Sequence, residues 1–286
     1  MKILVTGYTG QLGYDVVKEG QFHGYDIYGV GSADLDITNK QRVTEFVEKL
    51  NPDAIVHSAA YTAVDQAEDD QDTCWNINVN GTRYLAEAAK SVGAKFMYIS
   101  TDYVFDGEEN WPLSETDSTS PVGYYGLTKL EGEKVVQSLL NQMFIVRISW
   151  VFGINGNNFV KVMLRLAETR SELNVVGDQF GSPTYTFDLA RLLIEMIESE
   201  KYGIYHVSNE GFCSWAEFAR EIFKVAGKAV KVHAINTEEY PTRAVRPKNS
   251  RLSKQKLVDS GFKPLPSWQE ALEHYINELI LEVNHD

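Results

Sequence analysis

Cysteine is scarce in this chain of 286 residues: the two, Cys74 and Cys213, lie far apart, form no CxxC spacing and have no histidine at ligand spacing beside them. Neither a disulfide framework nor a zinc site is indicated, which favours a reducing, cytoplasmic setting. Long apolar runs are missing too. The opening Met1-Lys2-Ile3-Leu4-Val5-Thr6-Gly7 is too short for a signal peptide, and no stretch approaches the roughly 20 apolar residues of a membrane helix, so a soluble chain is expected. Positive charge is in deficit. A net charge of -13 argues against nucleic-acid binding, which needs basic surface, and any anionic ligand must find its positive contacts locally. What the chain does have is apolar substance: 43% hydrophobic residues suffice for a core without staples, in one large domain or two modest ones.

Residues 2–6 read as a buried strand, followed by Gly7-Tyr8-Thr9-Gly10-Gln11-Leu12-Gly13 and a helix pattern with Leu12 and Val16 one turn apart. Strand, glycine-rich turn and helix form a dinucleotide site: the turn lets a pyrophosphate approach the backbone, and the helix N-terminus offers free N–H groups. Gly7, Gly10, Gln11, Leu12 and Gly13 are its expected contacts. The second strand, Asp26 to Val30, ends in Gly31-Ser32-Ala33-Asp34 without an acid at its tip to hold a ribose 2′-hydroxyl, which leans towards NADPH. No arginine stands there for a 2′-phosphate, so NADH stays open. Asp36 and Ile37 follow where an adenine would be flanked, and a capping box over Thr38-Asn39-Lys40-Gln41 opens a helix that buries Val43, Phe46, Val47 and Leu50. Asp53 to Ala60 reads as a third strand running into small residues, with Ala59, Ala60 and Tyr61 against the cofactor and His57 as a satisfied core histidine. The acidic run Glu68 to Asp72 reads as a solvated face, Asn76 to Val92 as a long helix and Lys95 to Ser100 as a fourth strand. This alternation predicts an α/β fold with a Rossmann-type, doubly wound parallel sheet.

Ser100-Thr101-Asp102 sits at the carboxyl end of that fourth strand, where open α/β sheets bind ligands. Further on, Tyr125-Gly126-Leu127-Thr128-Lys129 puts a phenol and an ammonium on one helix face, where the cation is expected to lower the Tyr125 pKa. These parts fit hydride transfer from a nicotinamide to a sugar ketone. Tyr125 would protonate the carbonyl oxygen, Thr101 would polarise it, and Lys129 would hold the nicotinamide ribose. Residues 107–123 read as a surface loop, and Phe144 to Ser149 as a strand ending at Trp150. Beyond it come helices over Asn158 to Glu168 and Phe187 to Ser199, a strand and turn over Asn174 to Pro183, a strand over Ile204 to Val207, and capping boxes at Ser214 and Ser267. Residues 1–150 are expected to bind the dinucleotide and residues 151–286 to form a smaller α/β substrate lobe, with segments free to interleave. Between Arg243 and Arg251 the chain carries Arg243, Arg246, Lys248 and Arg251 and no acid, either a clamp for an anionic substrate or a solvated loop.

Gly7-x-x-Gly10-Gln11-Leu12-Gly13, Ala60-Tyr61-Thr62-Ala63-Val64-Asp65-x-Ala67-Glu68, Ser100-Thr101-Asp102-Tyr103-Val104-Phe105-Asp106-Gly107 and Tyr125-Gly126-x-Thr128-Lys129-Leu130-x-Gly132-Glu133 together resemble the dTDP-4-dehydrorhamnose reductase family of the extended short-chain dehydrogenase/reductases. The resemblance continues through Arg147-Ile148-Ser149-Trp150-Val151-Phe152, Gly156-Asn157-Asn158-Phe159, Asp178-Gln179-x-Gly181-x-Pro183-Thr184 and Arg246-Pro247-x-Asn249-Ser250-x-Leu252, so it spans nearly the whole chain. It implies NAD(P)H-dependent reduction of dTDP-4-dehydro-L-rhamnose to dTDP-L-rhamnose, a step of nucleotide-sugar metabolism that feeds surface polysaccharides. It also implies Tyr125 as proton donor, Lys129 as its partner and Thr101 as the polarising hydroxyl. Asp102 and Trp150 would contact the sugar, unless packing alone fixes them. Magnesium-bridged dimers among such relatives point to Asp15 as the candidate carboxylate, yet no metal is predicted, and the chain is expected to be a monomer or homodimer. Two other readings share the scaffold: an NAD-dependent nucleotide-sugar epimerase or dehydratase, and a non-catalytic regulatory subunit of the methionine adenosyltransferase type.

Overall fold

A computed structural model describes residues 1–283; residues 284–286, counted above in the C-terminal lobe, lie outside the described residues. The chain alternates strand and helix from its start: β1 (Lys2–Thr6), α1 (Gln11–Phe22), β2 (Asp26–Val30), α2 (Lys40–Leu50), β3 (Ala54–His57), then the short α3 (Val64–Ala67) and α4 (Gln71–Trp75). Through a π-helical stretch, Asn76–Gly81, α4 runs into α5 (Thr82–Val92), so the expected long helix starts earlier and is not uniformly α. Next come β4 (Lys95–Thr101), α6 (Tyr124–Leu139), β5 (Met143–Ile148), β6 (Val151–Phe152), α7 (Phe159–Leu166), β7 (Glu172–Val176), β8 (Phe180–Gly181), β9 (Thr184–Tyr185), α8 (Thr186–Glu198) and β10 (Gly203–His206). The chain closes with β11 (Cys213–Ser214), α9 (Trp215–Val225), β12 (Lys231–Ile235), β13 (Asn249–Ser250), α10 (Gln255–Asp259) and α11 (Trp268–Val283).

Six parallel strands stand in the order β10-β5-β4-β3-β1-β2. Successive side chains leave a strand on opposite faces, so the apolar runs split cleanly. Ile3, Val5, Val56, Met97 and Val146 pack with Leu12 and Val16 of α1 and Leu189 and Leu193 of α8, while Leu4, Ile55, Phe96, Tyr98 and Ile145 pack with Val43 and Val47 of α2 and Leu85 of α5. Helices therefore cover both faces, which is why these strands read as continuous apolar runs rather than alternating ones. Each such side chain contributes roughly 1.5–3 kcal/mol through burial. Because β2 lies on one side of β1 and β3 on the other, the chain reverses direction across the sheet between β1 and β3, and a crevice opens at their carboxyl ends.

Segments from the two sides of residue 150 interleave. The sheet takes its outermost strand, β10, from beyond that boundary, and α8 and Leu257 of α10 help to seal its lower core. The smaller lobe keeps its own core, with Phe152, Tyr185, Phe218 and Tyr275 in mutual ring contact. Some details depart from expectation. Asn39, rather than Thr38, caps α2 by accepting the Arg42 N–H at 3.1 Å, because the Thr38 hydroxyl is taken by Asp36 at 2.7 Å. The loop 107–123 is pinned at its centre, where buried Leu113 bridges to Leu252.

Candidate functional site

The glycine-rich turn is shaped by close approach. Gly7 has φ +76°, and a Cβ there would lie 2.7 Å from the Ala59 nitrogen. One on Gly13 would lie 2.3 Å from the Gly7 oxygen, so the turn is pressed against β3 and folded on itself with no room for side chains. Gly10, at the N-cap of α1, makes no side-chain cap, which leaves the first N–H groups of the helix facing the crevice. A cleft of about 790 Å³ opens there. Gly7, Gly10, Gln11, Leu12 and Gly13 line it from the turn, Asp36 and Ile37 from beyond β2, and Ala59 and Ala60 from beyond β3. Tyr61 is not among its lining residues; Asn78 on the π-helical stretch holds the Tyr61 backbone, accepting its N–H at 2.8 Å and donating to its carbonyl at 3.2 Å. Sequence reasoning missed how the smaller lobe grips the turn: Asn155 Nδ2 donates to the Thr9 carbonyl at 2.7 Å, and Asn158 Nδ2 to Gln11 Oε1 at 3.0 Å. The asparagines around Gly156 were the available signal. His57 is a core histidine with both nitrogens engaged, by Thr6 Oγ1 at 2.8 Å and Thr82 Oγ1 at 3.0 Å, and burial drives its pKa down to about 3.

Thr101, Asp102, Tyr125, Lys129 and Trp150 line the same cleft. The Thr101 hydroxyl donates to Asp102 Oδ1 at 3.0 Å and accepts the Tyr103 N–H at 3.2 Å. Burial lifts Asp102 to about 6, against the opposing hydrogen bonds from Ser250 and Thr101. The expected lowering of the Tyr125 pKa is overturned. Burial, followed by the Asp102 charge, pushes this phenol well above its ordinary value, and only a hydrogen bond with Thr101 works the other way. The reason lies in where Lys129 points: its Nζ donates to the Ile99 carbonyl at 2.7 Å and stands 4.1 Å from the centre of the Tyr98 ring. Burial lowers Lys129 itself to about 7, with Glu133 opposing.

On the open side, Trp150 has φ +48°, rare for a bulky residue, and stacks on Trp215 with ring centres 3.6 Å apart. Gly181 makes room for the indole, since a Cβ there would lie 2.7 Å from it. Trp150 and Tyr103 also line a second cavity, about 1090 Å³, which Trp215, Phe159, Gln179 and Arg246 help to enclose. Arg246 lies outside the cofactor cleft. It makes a two-pronged bond to Asp65, Nη1 to Oδ1 at 3.1 Å and Nη2 to Oδ2 at 2.7 Å. Arg243 pairs with Asp69, and Lys248 with Glu238 at 3.0 Å and Asp178 at 3.3 Å. The basic segment is thus tied to carboxylates, while Arg243 and Lys248 stay exposed. Nor is the acidic run wholly solvated: Glu68 Oε1 accepts the Tyr124 N–H at 2.8 Å and so caps the helix that carries Tyr125.

Asp15, the candidate carboxylate, lies on α1. It is buried beneath α8, its Oδ2 accepts the Thr186 hydroxyl, and among the described residues no three His, Cys, Asp or Glu side chains converge on a metal position. Also among the described residues, no helix is long and apolar enough to cross a membrane.

Comparison with known proteins agrees with this geometry along the whole chain. The family model described as RmlD substrate binding domain matches residues 1–281. A dTDP-4-dehydrorhamnose reductase from Aggregatibacter actinomycetemcomitans is 43% identical, over 96% of this chain and 97% of its own. The crystal structure of a dTDP-4-dehydrorhamnose reductase from Clostridium acetobutylicum superposes with a TM-score of 0.96 at 45% identity, covering 98% of this chain and all (100%) of that one. That of the Bacillus anthracis dTDP-4-dehydrorhamnose reductase in complex with NADP gives 0.95 at 46% identity, covering 97% and 100%.

Proposed function

The chain belongs to the RmlD substrate binding domain family, and from that premise we propose that it is a dTDP-4-dehydrorhamnose reductase, an oxidoreductase that turns dTDP-4-dehydro-L-rhamnose into dTDP-L-rhamnose. The observation that carries this reading is the meeting of Thr101, Tyr125 and Lys129 inside a cleft walled by the glycine-rich turn. A reduction needs a proton donor at the carbonyl oxygen, and a phenol held above its ordinary pKa stays protonated at neutral pH.

The cleft residues fit a nicotinamide dinucleotide, since Gly7 and Gly13 fold the turn tightly enough for a diphosphate to reach the uncapped N-terminus of α1. Gln11, Leu12, Ala59, Ala60, Asp36 and Ile37 would hold it, with NADPH as the expected form and NADH as a substitute. When bound, it supplies the hydride. Tyr125 gives its proton to the ketone oxygen, and Thr101 donates a hydrogen bond to the same oxygen as negative charge grows there. Lys129, whose Nζ donates to the Ile99 carbonyl at the cleft wall, would hold the nicotinamide ribose. Asp102 and Trp150 orient the sugar at the junction of the two cavities, and Arg246 borders the nucleotide end. The smaller lobe supplies the substrate cavity, the setting is cytoplasmic, and the enzyme works as a monomer or homodimer.

The test is an assay of cofactor oxidation across several nucleotide 4-ketosugars. One NADPH oxidised per dTDP-4-dehydrorhamnose consumed is expected. Turnover of a nucleotide sugar without net oxidation would replace this reading with an epimerase or dehydratase, and an inactive protein that captures a partner enzyme would replace it with a regulatory subunit.

A further inference from the structure

Near the carboxyl end of the sheet, β4, β5 and β10 each contribute one polar residue at the same level. Ser100 pairs in register with Arg147, and Arg147 with His206. By alternation all three leave the sheet on the side of Tyr98, Ile145 and Ile204, the side on which Val136 of α6 packs. Glu133, one turn beyond Lys129 on α6, meets this row and is fully buried at 0% exposure. Its Oε1 accepts the Ser100 hydroxyl at 2.5 Å and Arg147 Nε at 2.9 Å, and its Oε2 accepts Arg147 Nη2 at 2.7 Å. Behind it, His206 Nδ1 donates to the Leu113 carbonyl at 3.0 Å, which leaves the Nε2 lone pair for Arg147 Nη1 at 3.4 Å.

An ion pair this deep costs desolvation on both partners, and an apolar pair would anchor a helix as well or better. Its position offers a reason. Several groups face Lys129: Cys74 from α4, His57 from β3, Tyr98 from β4, and Glu133 from its own helix, which also carries Tyr125. Burial keeps the thiol and both phenols protonated and the imidazole neutral. Glu133, shared with Arg147, is the one of these groups that carries a negative charge.

We propose that Glu133 is a positioning residue of the reaction centre: through Ser100 and Arg147 it locks α6 onto the end of β4, and its charge keeps Lys129 an ammonium beside Tyr125. One set of bonds thereby ties the residue preceding Thr101 to the helix bearing Tyr125. The kinetic consequence rests on the reductase reading, whereas the state of Lys129 does not.

The test reads Lys129 directly, by NMR of NADP-saturated protein labelled at lysine Cε, with the signal assigned by its loss in Lys129→Arg. In the wild type Lys129 is expected to titrate near 7. In Glu133→Gln it should titrate about one pH unit lower, and in Ser100→Ala, which keeps the charge, at the wild-type position. The alkaline limb of kcat should move with it in Glu133→Gln, with the substrate KM unchanged. Ser100→Ala should lower kcat without moving that limb. If Glu133→Gln does not fold, Arg147→Gln, which leaves the Glu133 charge without its guanidinium, should shift Lys129 in the opposite direction. An unshifted Lys129 in either folded variant overturns the proposal. If the wild type reduces no ketosugar, the reductase reading fails while the titration still decides this one.

Discussion

The two walls of the cleft are built by different means. On the cofactor side, backbone lies against backbone: Gly7 and Gly13 leave no room for a Cβ, and the sheet behind them is apolar on both faces. On the side of the second cavity, proposed for the sugar, side chains remote in sequence meet, as in the Trp150–Trp215 stack and the Arg246–Asp65 bond. The first wall is rigid because nothing else fits there, the second because particular partners find one another. A binding site that must accept one cofactor but distinguish among sugars gains from that division.

The largest test of the comparison strikes where the walls meet. Tyr125→Phe should lower kcat by about 10²–10⁴-fold while cofactor affinity holds, as measured by steady-state kinetics and fluorescence titration with NADPH. Loss of both together would mean that the phenol builds the wall rather than acting across it.

Asp102 comes next. Its pKa rises from the ordinary 3.8 to about 6, so its ionisation above that pH opposes folding, and the penalty fades as pH falls through 6 towards 3.8. Asp102→Asn should therefore stabilise the protein by up to about 3 kcal/mol at pH 8 and by almost nothing at pH 4, read from urea unfolding at both. An equal gain at the two pH values would mean that the carboxyl is not held in a desolvated place.

On the rigid wall, Gly13→Ala should weaken NADPH binding about tenfold or more, since the added methyl collides with backbone that cannot yield. Unchanged affinity would show a softer turn than its contacts suggest. The smallest effects belong to the partnered wall. Arg246→Ala should raise the nucleotide-sugar Kd several-fold by calorimetry, whereas Asp65→Asn, which frees the guanidinium, should leave it equal or lower it. If both raise it alike, Arg246 serves the fold of that wall and not the ligand.

The same contrast explains what could be read from the sequence. The strand–glycine–helix start, the alternation of parallel strands and helices up to β5 and the meeting of Thr101, Tyr125 and Lys129 all follow from local spacing and period, and the chain displays both. The direction of the Tyr125 shift did not, because a spacing of one helical turn says that Lys129 is near but not that it is aimed at the Ile99 carbonyl. Nor could spacing find Asp65 for Arg246 or Glu68 for the Tyr124 N–H, since such partners are fixed only once the lobes have closed. Trp215 was legible as an ordinary residue inside a capping box, and the stack beneath Trp150 became visible only in three dimensions.

The late arrival of β10 bears on how the molecule is made. The ribosome completes β5 long before Gly203–His206 emerge, so for several seconds of synthesis one rim of the nascent sheet has no neighbour and the lower core has no α8 to cover it. A chain halted near residue 150 would carry nearly every chemical group the reaction needs and still present a raw edge for other strands to pair with. Only when β10 pairs with β5 is that rim covered, so the sheet is complete only late in synthesis.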